Sequence, residues 1–426
     1  MKYLSTEGKT APVNFDQCLL QGLAPDGGLF IPEKFPTLDL SDGRWQETAV
    51  RSDFASFATE LLKPFVTASS VAEKLSKICA SAFDFEIPLN VPSDTSTTAI
   101  LELYHGPTAA FKDVGARFLA ECLLGLGQSA TVLVATSGDT GGAVASAFNL
   151  KAGMRVVILF PKGMISKRQE KQLTCWGDAV KAFAVEGSFD DCQRIVKGAL
   201  SDQTLSRQHQ FISANSISVG RLLPQMAYHA RASLQYLNRF GKKPTLVVPT
   251  GNLGNAVAAM WAKRSGLPID KIILATNENS TIPDYFATGI FTPGKTIATL
   301  ANAMDVSNPS NFARMFALYP DLKFLKDDVA SISVSDMEIR AAIKSSEKDY
   351  GQVFCPHTAV AAVAKDKLQI ENAILVATAH PAKFESIVEP LIGREVPIPD
   401  SLMNVLSRPS ASRDILPTLD ALRPHL

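Results

Sequence analysis

Short apolar runs rich in β-branched residues alternate with amphipathic stretches along most of this chain, and that alternation predicts its elements. Thr131-Val-Leu-Val-Ala135 reads as a buried strand and Gly141 to Leu150 as the helix that follows; Arg155-Val-Val-Ile-Leu-Phe160 is the next strand and Asp190 to Leu200 the next helix. Continuous apolar runs are what strands show when both faces of a parallel sheet are covered. The pattern resumes with a strand at Thr245 to Val248, a helix from about Ala256 to Arg264, a strand at Lys271 to Ala275, helices near Ser335 to Tyr350 and Thr358 to Lys367, and a strand at Ala373 to Ala377. Two such βαβ series predict an α/β protein with two open, mainly parallel sheets. The Arg239-Phe-Gly-Lys-Lys-Pro244 turn is the expected boundary, giving α/β domains at 96–238 and 239–426. Residues 1–95 differ: turns such as Ala24-Pro-Asp-Gly-Gly-Leu29 precede amphipathic stretches around 45–85, which predicts an N-terminal cap or small helical domain.

Composition narrows the function classes. A chain of 426 residues with 46% hydrophobic content exceeds what one core usually supports. Lys plus Arg equals Asp plus Glu at 42 each, which removes the electrostatic case for wholesale binding to nucleic acid or a membrane surface and leaves local anion sites. The six cysteines, Cys18, Cys79, Cys122, Cys175, Cys192 and Cys355, are scattered, with no Cys-x-x-Cys pair and no histidine spaced for zinc. They read as core thiols of a reduced compartment, with no metal site. Neither a signal-like h-region nor a membrane-length apolar run is present, so a cytoplasmic protein is expected.

Three segments carry chemistry. Lys112 follows Ala109, Ala110 and Phe111 and precedes Asp113 and Val114. Burial there would depress its pKa until the free amine could form an imine with an aldehyde; a plain helix-start lysine is the other reading. Thr136-Ser137-Gly138-Asp139-Thr140-Gly-Gly142 lies between a strand and a helix, where small hydroxyls and free backbone N–H groups suit a carboxylate or phosphate, or simply cap the helix. Pro249-Thr-Gly251-Asn252-Leu253-Gly254-Asn255 repeats that placement, with asparagine amides able to hold a phosphate monoester, a turn without a ligand being the other reading; it has neither the Lys-Ser/Thr of a Walker loop nor the glycine spacing of a dinucleotide fold. Together they meet the needs of pyridoxal 5′-phosphate and an amino-acid substrate. Thr378, in Ala377-Thr-Ala-His-Pro381, adds a hydroxyl suited to the pyridine nitrogen, and His380 reads as a structural hydrogen bonder. Lys167, Arg168 and Lys171 read as a solvated helix face.

These segments, with Gly22-Leu-Ala-Pro-Asp-Gly-Gly-Leu-Phe-Ile-Pro-Glu33, His105-Gly-Pro-Thr-Ala-Ala-Phe-Lys-Asp113, Met304-Asp-Val-Ser-Asn-Pro-Ser-Asn311 and Ala377-Thr-Ala-His-Pro-Ala-Lys383, resemble the threonine synthase family nearly end to end. That family has the tryptophan-synthase β-like fold, or fold type II. The resemblance implies conversion of O-phosphohomoserine and water to threonine and phosphate, by γ-elimination then β-addition, as a carbon–oxygen lyase ending threonine biosynthesis. It implies Lys112 as the imine-forming lysine and mobile base. Gly251, Asn252, Leu253, Gly254 and Asn255 would hold the cofactor phosphate, with Thr378 facing the ring nitrogen. Thr136, Ser137, Gly138, Asp139 and Thr140 would take the substrate carboxylate, although an acid at 139 is electrostatically awkward there. Asn215-Ser216-Ile-Ser-Val-Gly-Arg221 matches the segment whose serine and arginine, here Ser216 and Arg221, bind the substrate phosphate. A monomer is expected, with a homodimer as the alternative. A derived phospho-lyase, or a serine or threonine dehydratase, is the runner-up activity.

Overall fold

The computed structural model describes residues 1–41, 43–93, 96–149 and 151–426. In chain order its strands are β1 (Tyr3–Ser5), β2 (Phe30–Pro32), β3 (Leu89–Asn90), β4 (Thr98–Glu102), β5 (Ala130–Ala135), β6 (Met154–Pro161) and β7 (Val180–Val185). They continue with β8 (Phe211–Ser213), β9 (Thr245–Pro249), β10 (Ile272–Thr276), β11 (Val329–Ser333), β12 (Ala373–Ala377) and β13 (Arg413–Ile415). Besides the two-stranded β1-β2 sheet, two larger sheets result, in the orders β11-β10-β9-β12-β4-β3 and β13-β7-β6-β5-β8. Pairing is parallel throughout both, except between β3 and β4 at one edge. Every residue of β4, β5, β9, β10 and β12 is buried, as their unbroken apolar runs require of strands covered on both faces.

The sheets interleave along the chain. Thr98–Glu102 lies N-terminal to residue 239 yet pairs with β12, while β13, near the C-terminus, pairs with β7. A cut at 239 therefore does not separate the sheets, and the boundary expected at 95 falls outside the described residues, as does Leu150 at the end of its expected helix. The N-terminal part forms the antiparallel β1–β2 pair and helices at Arg44–Arg51, Phe54–Leu62 and Leu75–Ala82. It shares one hydrophobic core with the sheets: Phe54 meets Phe83, which stacks on Phe118 at 6.0 Å. Arg231 ties it further, donating to the Ala49 and Ser52 carbonyls at 3.0 and 2.8 Å.

Sequence-expected helices appear at Asp139–Phe148, Phe189–Ser201, Gly254–Arg264, Asp336–Tyr350 and Pro356–Lys367. A short turn at Val219–Leu222 precedes a helix at Gln225–Phe240, the two parted because Pro224 supplies no N–H to continue the ladder. All six cysteines are buried free thiols. Among the described residues no helix is long and apolar enough to cross a membrane.

Candidate active site

The carboxyl ends of the parallel strands open into one cavity of about 1370 Å³, counting its mouth. Ligands are expected at this edge because the loops leaving parallel strands diverge there and helix N-termini point into the gap.

Lys112 is the first residue of the Lys112–Gly125 helix. Its loop is stitched to the end of β12: Phe111 N donates to Thr378 O at 2.8 Å, His380 N to Ala109 O at 3.0 Å, and Leu103 N to Ala377 O at 2.9 Å. The backbone ladder thus sets Lys112 and Thr378 on the same cavity wall. Asp113 does not neutralise the lysine. It is fully buried and turned away, accepting from Thr108 N at 2.9 Å and Thr108 Oγ1 at 2.7 Å, which closes the loop ahead of the helix. Burial pushes the Lys112 amine down to about 8; Asp139 opposes this, while Arg221 and Lys383 add to it. A useful free-amine fraction therefore exists near neutral pH.

The 251–255 loop enters the Gly254–Arg264 helix through Leu253, whose φ of 62° turns the chain sharply at the N-cap. Its neighbours brace it: Ser310 N donates to Asn252 Oδ1 at 3.0 Å and Asn311 Nδ2 to Asn252 O at 3.0 Å. Asn255 Oδ1 accepts from His229 Nε2 at 2.7 Å and from Tyr228 OH at 2.9 Å, so its amide orientation is set from behind. Its Nδ2 is buried without a partner among the described residues. A buried orphan donor beside a helix N-terminus fits a phosphate oxygen, and pyridoxal phosphate suits this donor set together with the lysine. A Cβ on Gly251 would lie 2.8 Å from the Met304 Cα and carbonyl oxygen. Gly251→Ala is expected to weaken cofactor binding about tenfold or more, since relief must come from backbone rather than from a side chain. Absorbance titration of the cofactor-free protein checks this; unchanged affinity would mean the loop tolerates the displacement.

The 136–140 loop leads from β5 into the Asp139–Phe148 helix. The Thr136 hydroxyl accepts from Gly138 N at 3.0 Å and Gly141 N at 2.9 Å, so it organises the turn. Gly138 lies behind the cavity wall, against the Gln169 amide. Thr136, Ser137, Asp139 and Thr140 line the cavity. Asp139 is not a stray negative charge: its Oδ1 lies 3.0 Å from Lys383 Nζ and accepts from Gln169 Nε2 at 3.1 Å. Burial raises its pKa, but Lys383, Lys112 and His357 outweigh that and hold it well below the usual carboxylate range.

Opposite, Ser216 and Arg221 complete the wall. Arg221 is buried beside the lysine helix; a Cβ on Gly115 would meet the Arg221 carbonyl oxygen at 2.6 Å, so glycine there permits the approach. One guanidinium arm donates to Ala214 O, and Nε has no partner among the described residues. Burial lowers the Arg221 pKa to about 10, with Asp113 opposing the shift, so it stays cationic at neutral pH. The Ser216 carbonyl is held by a second buried cation, Arg314, whose Nη1 donates to it at 3.2 Å while Nε donates to Phe30 O at 2.9 Å.

Sequence reasoning passed over several participants. His357 lines the cavity with Nε2 accepting from Ala303 N at 3.2 Å and Nδ1 unpartnered; burial lowers its pKa to about 4 and keeps it neutral. Lys383 stood in a quoted motif without a role. Arg168 is not part of a solvated face, since it donates to Ala382 O at 2.7 Å and pairs with Glu389 at 3.3 Å. His380 is structural, as expected: its Nδ1 accepts from Ala382 N at 3.2 Å.

A lysine between two anion-receptive loops at the carboxyl edge of parallel strands defines a pyridoxal-phosphate enzyme of fold type II. The family profile described as pyridoxal-phosphate dependent enzyme matches residues 98–379, that of the threonine synthase N terminus residues 2–83, and that of the threonine synthase C-terminal region residues 358–425. A threonine synthase from Buchnera aphidicola of Acyrthosiphon pisum is 38% identical over 100% of this chain and 99% of its own length. The crystal structure of threonine synthase from Escherichia coli superposes with a TM-score of 0.92 at 35% identity, covering 100% of this chain and 99% of that one. The pyridoxal-phosphate-bound threonine synthase from Brucella melitensis gives 0.91 at 31% identity, covering 100% and 98%. The chain belongs to the threonine synthase family.

Proposed function

We propose that this protein converts O-phospho-L-homoserine and water into L-threonine and phosphate, as a carbon–oxygen lyase acting on a phosphate ester. The observation that carries the reading is the second cationic pole: Arg221 lines the same cavity as the 251–255 loop, is buried, and is offset by no ion-paired carboxylate among the described residues. One phosphate loop serves the cofactor, and an amino-acid substrate lacking phosphate would leave the guanidinium uncompensated.

Pyridoxal phosphate, when bound, supplies an aldehyde for the amino group and an electron sink for carbanions at Cα and beyond. Gly251 to Asn255 would hold its phosphate, and Thr378 would offer a hydroxyl to its ring nitrogen, a weaker stabiliser of a protonated ring than a carboxylate. Lys112 would take the Cα proton and, after releasing it, help to remove one at Cβ, so that phosphate leaves from Cγ with the C–O bonding pair. Ser137 and Thr140 orient the substrate carboxylate, while Ser216 and Arg221 hold the departing phosphate. Return of a proton to Cγ, attack of a water oxygen at Cβ with loss of its proton, and return of a proton to Cα would complete threonine.

Purified protein given O-phosphohomoserine is expected to release phosphate and threonine in equal amounts. Phosphate accompanied by a ketoacid and ammonia would instead establish a phospho-lyase, and turnover of threonine or serine with no response to phosphate would establish a dehydratase.

A further inference from the structure

Lys383 and Asp139 form a buried ion pair at the edge of the cavity: Lys383 is wholly buried and the Asp139 side chain is 4% exposed. Lys383 Nζ also donates to Thr108 O at 2.6 Å, in the loop that precedes Lys112. Its backbone is clamped from the start of the Lys167–Thr174 helix, where the N-cap Ser166 Oγ donates to Lys383 O at 2.9 Å and Arg168 to the adjacent Ala382 O. Asp139 lines the cavity and Lys383 does not. The charged and titratable groups around Asp139 are Lys383, Lys112, His357 and Cys355; those around Lys112 are Asp139, Arg221, Lys383 and His357. His357 is kept neutral by burial, and Lys112 is committed to the cofactor. Lys383 is therefore the standing counter-charge to an acid that sits in the loop meant for an anion.

We propose that Lys383 is a positioning residue that acts through Asp139: its ammonium cancels the Asp139 charge, so the Ser137–Thr140 loop presents hydroxyls and N–H groups to the substrate carboxylate and does not hold Lys112 protonated. This rests on the reading that this loop receives that carboxylate. A pair that served only to tie segments together would give two single variants that are merely less stable. A charge-balancing pair makes a sharper demand, because removing either member must move Lys112 in opposite directions and removing both must nearly restore it.

The test uses cofactor-loaded parent, Lys383→Met, Asp139→Asn and the double variant. Without substrate, the pH midpoint of the bound cofactor's absorbance change should rise by about one unit or more in Lys383→Met, fall in Asp139→Asn, and return near the parent value in the double variant. With O-phosphohomoserine, KM should rise about tenfold or more in Lys383→Met with a smaller change in kcat, and recover in the double variant. Midpoints moving in the same direction, or not at all, or a double variant as impaired as the worse single, would overturn the proposal. Should Lys383→Met fail to fold, the falling midpoint of Asp139→Asn and its reversal in the double variant still decide. Absence of turnover in the parent would defeat the proposed function, while the substrate-free midpoints would continue to judge Lys383.

Discussion

Replacing Lys112 with alanine is expected to lower turnover of O-phosphohomoserine by at least about 10³-fold, because in the proposed mechanism one side chain both engages the aldehyde and carries protons at two carbons. At 1.36 kcal/mol per tenfold, that loss corresponds to about 4 kcal/mol of transition-state stabilisation. The variant should still fold. Lys112 makes no ion pair among the described residues, and its amine is shifted down to about 8 chiefly by burial, so removal relieves a desolvated group. Phosphate anchorage should persist as well, since Asn255 and the loop around Gly251 are held by Tyr228, His229, Ser310 and Asn311, which Lys112 does not touch. The expected picture is a normally melting protein that retains some cofactor, loses the absorbance of the lysine-linked form, and is nearly inert. Retention of more than about a tenth of the parent rate would show that another base performs the proton transfers, and His357, neutral and unpartnered at Nδ1, would be the first residue to examine.

How far the sequence could be read follows from what is local and what is not. Lys112, Asn252, Asn255 and Thr378 were legible because each sits at the junction of an apolar run and a helix, where turn chemistry and strand pattern are written within a dozen residues. The strands β5, β6, β9, β10 and β12 were legible for the same reason. Strand β7, Val-Lys-Ala-Phe-Ala-Val, was missed because Lys181 interrupts the run, and β11 because its face is half-exposed and its identity comes from pairing with β10. The interleaving of β4 and β13 into opposite sheets has no local signature, since strand order is decided by packing. The same limit hid the charge partner of Asp139. Sequence showed an acid in an anion loop and no reason for it; the reason is a lysine beyond β12 that folding alone brings to 3.0 Å. Arg168 was misread because a basic run on a short helix is usually solvated, and only the docking of the Pro381–Phe384 turn and the Glu385–Ile392 helix gives it acceptors.

The second large effect belongs to Arg221. Arg221→Gln should reduce kcat/KM for O-phosphohomoserine by about 10²- to 10³-fold, the cost of removing one partner of a desolvated charge pair. Most of the loss should appear in KM if the guanidinium grips the phosphate equally in ground and transition states, and in kcat if the grip tightens as phosphate departs from Cγ. Arg221→Lys keeps a cation but loses the fork that meets two phosphate oxygens, so it should fall between the parent and Arg221→Gln. Cofactor absorbance and its midpoint should change little in Arg221→Lys. In Arg221→Gln the midpoint should rise, because Arg221 is among the cations that hold the Lys112 pKa down. Inorganic phosphate offers a substrate-independent check: as an inhibitor of the parent it should weaken in both variants. A variant with unchanged kcat/KM would remove the second phosphate site from the mechanism and leave Arg221 as a brace for Ala214, whose carbonyl it already holds. That outcome would favour a dehydratase, in which the hydroxyl-bearing amino acid needs only the lysine, the carboxylate loop and the cofactor.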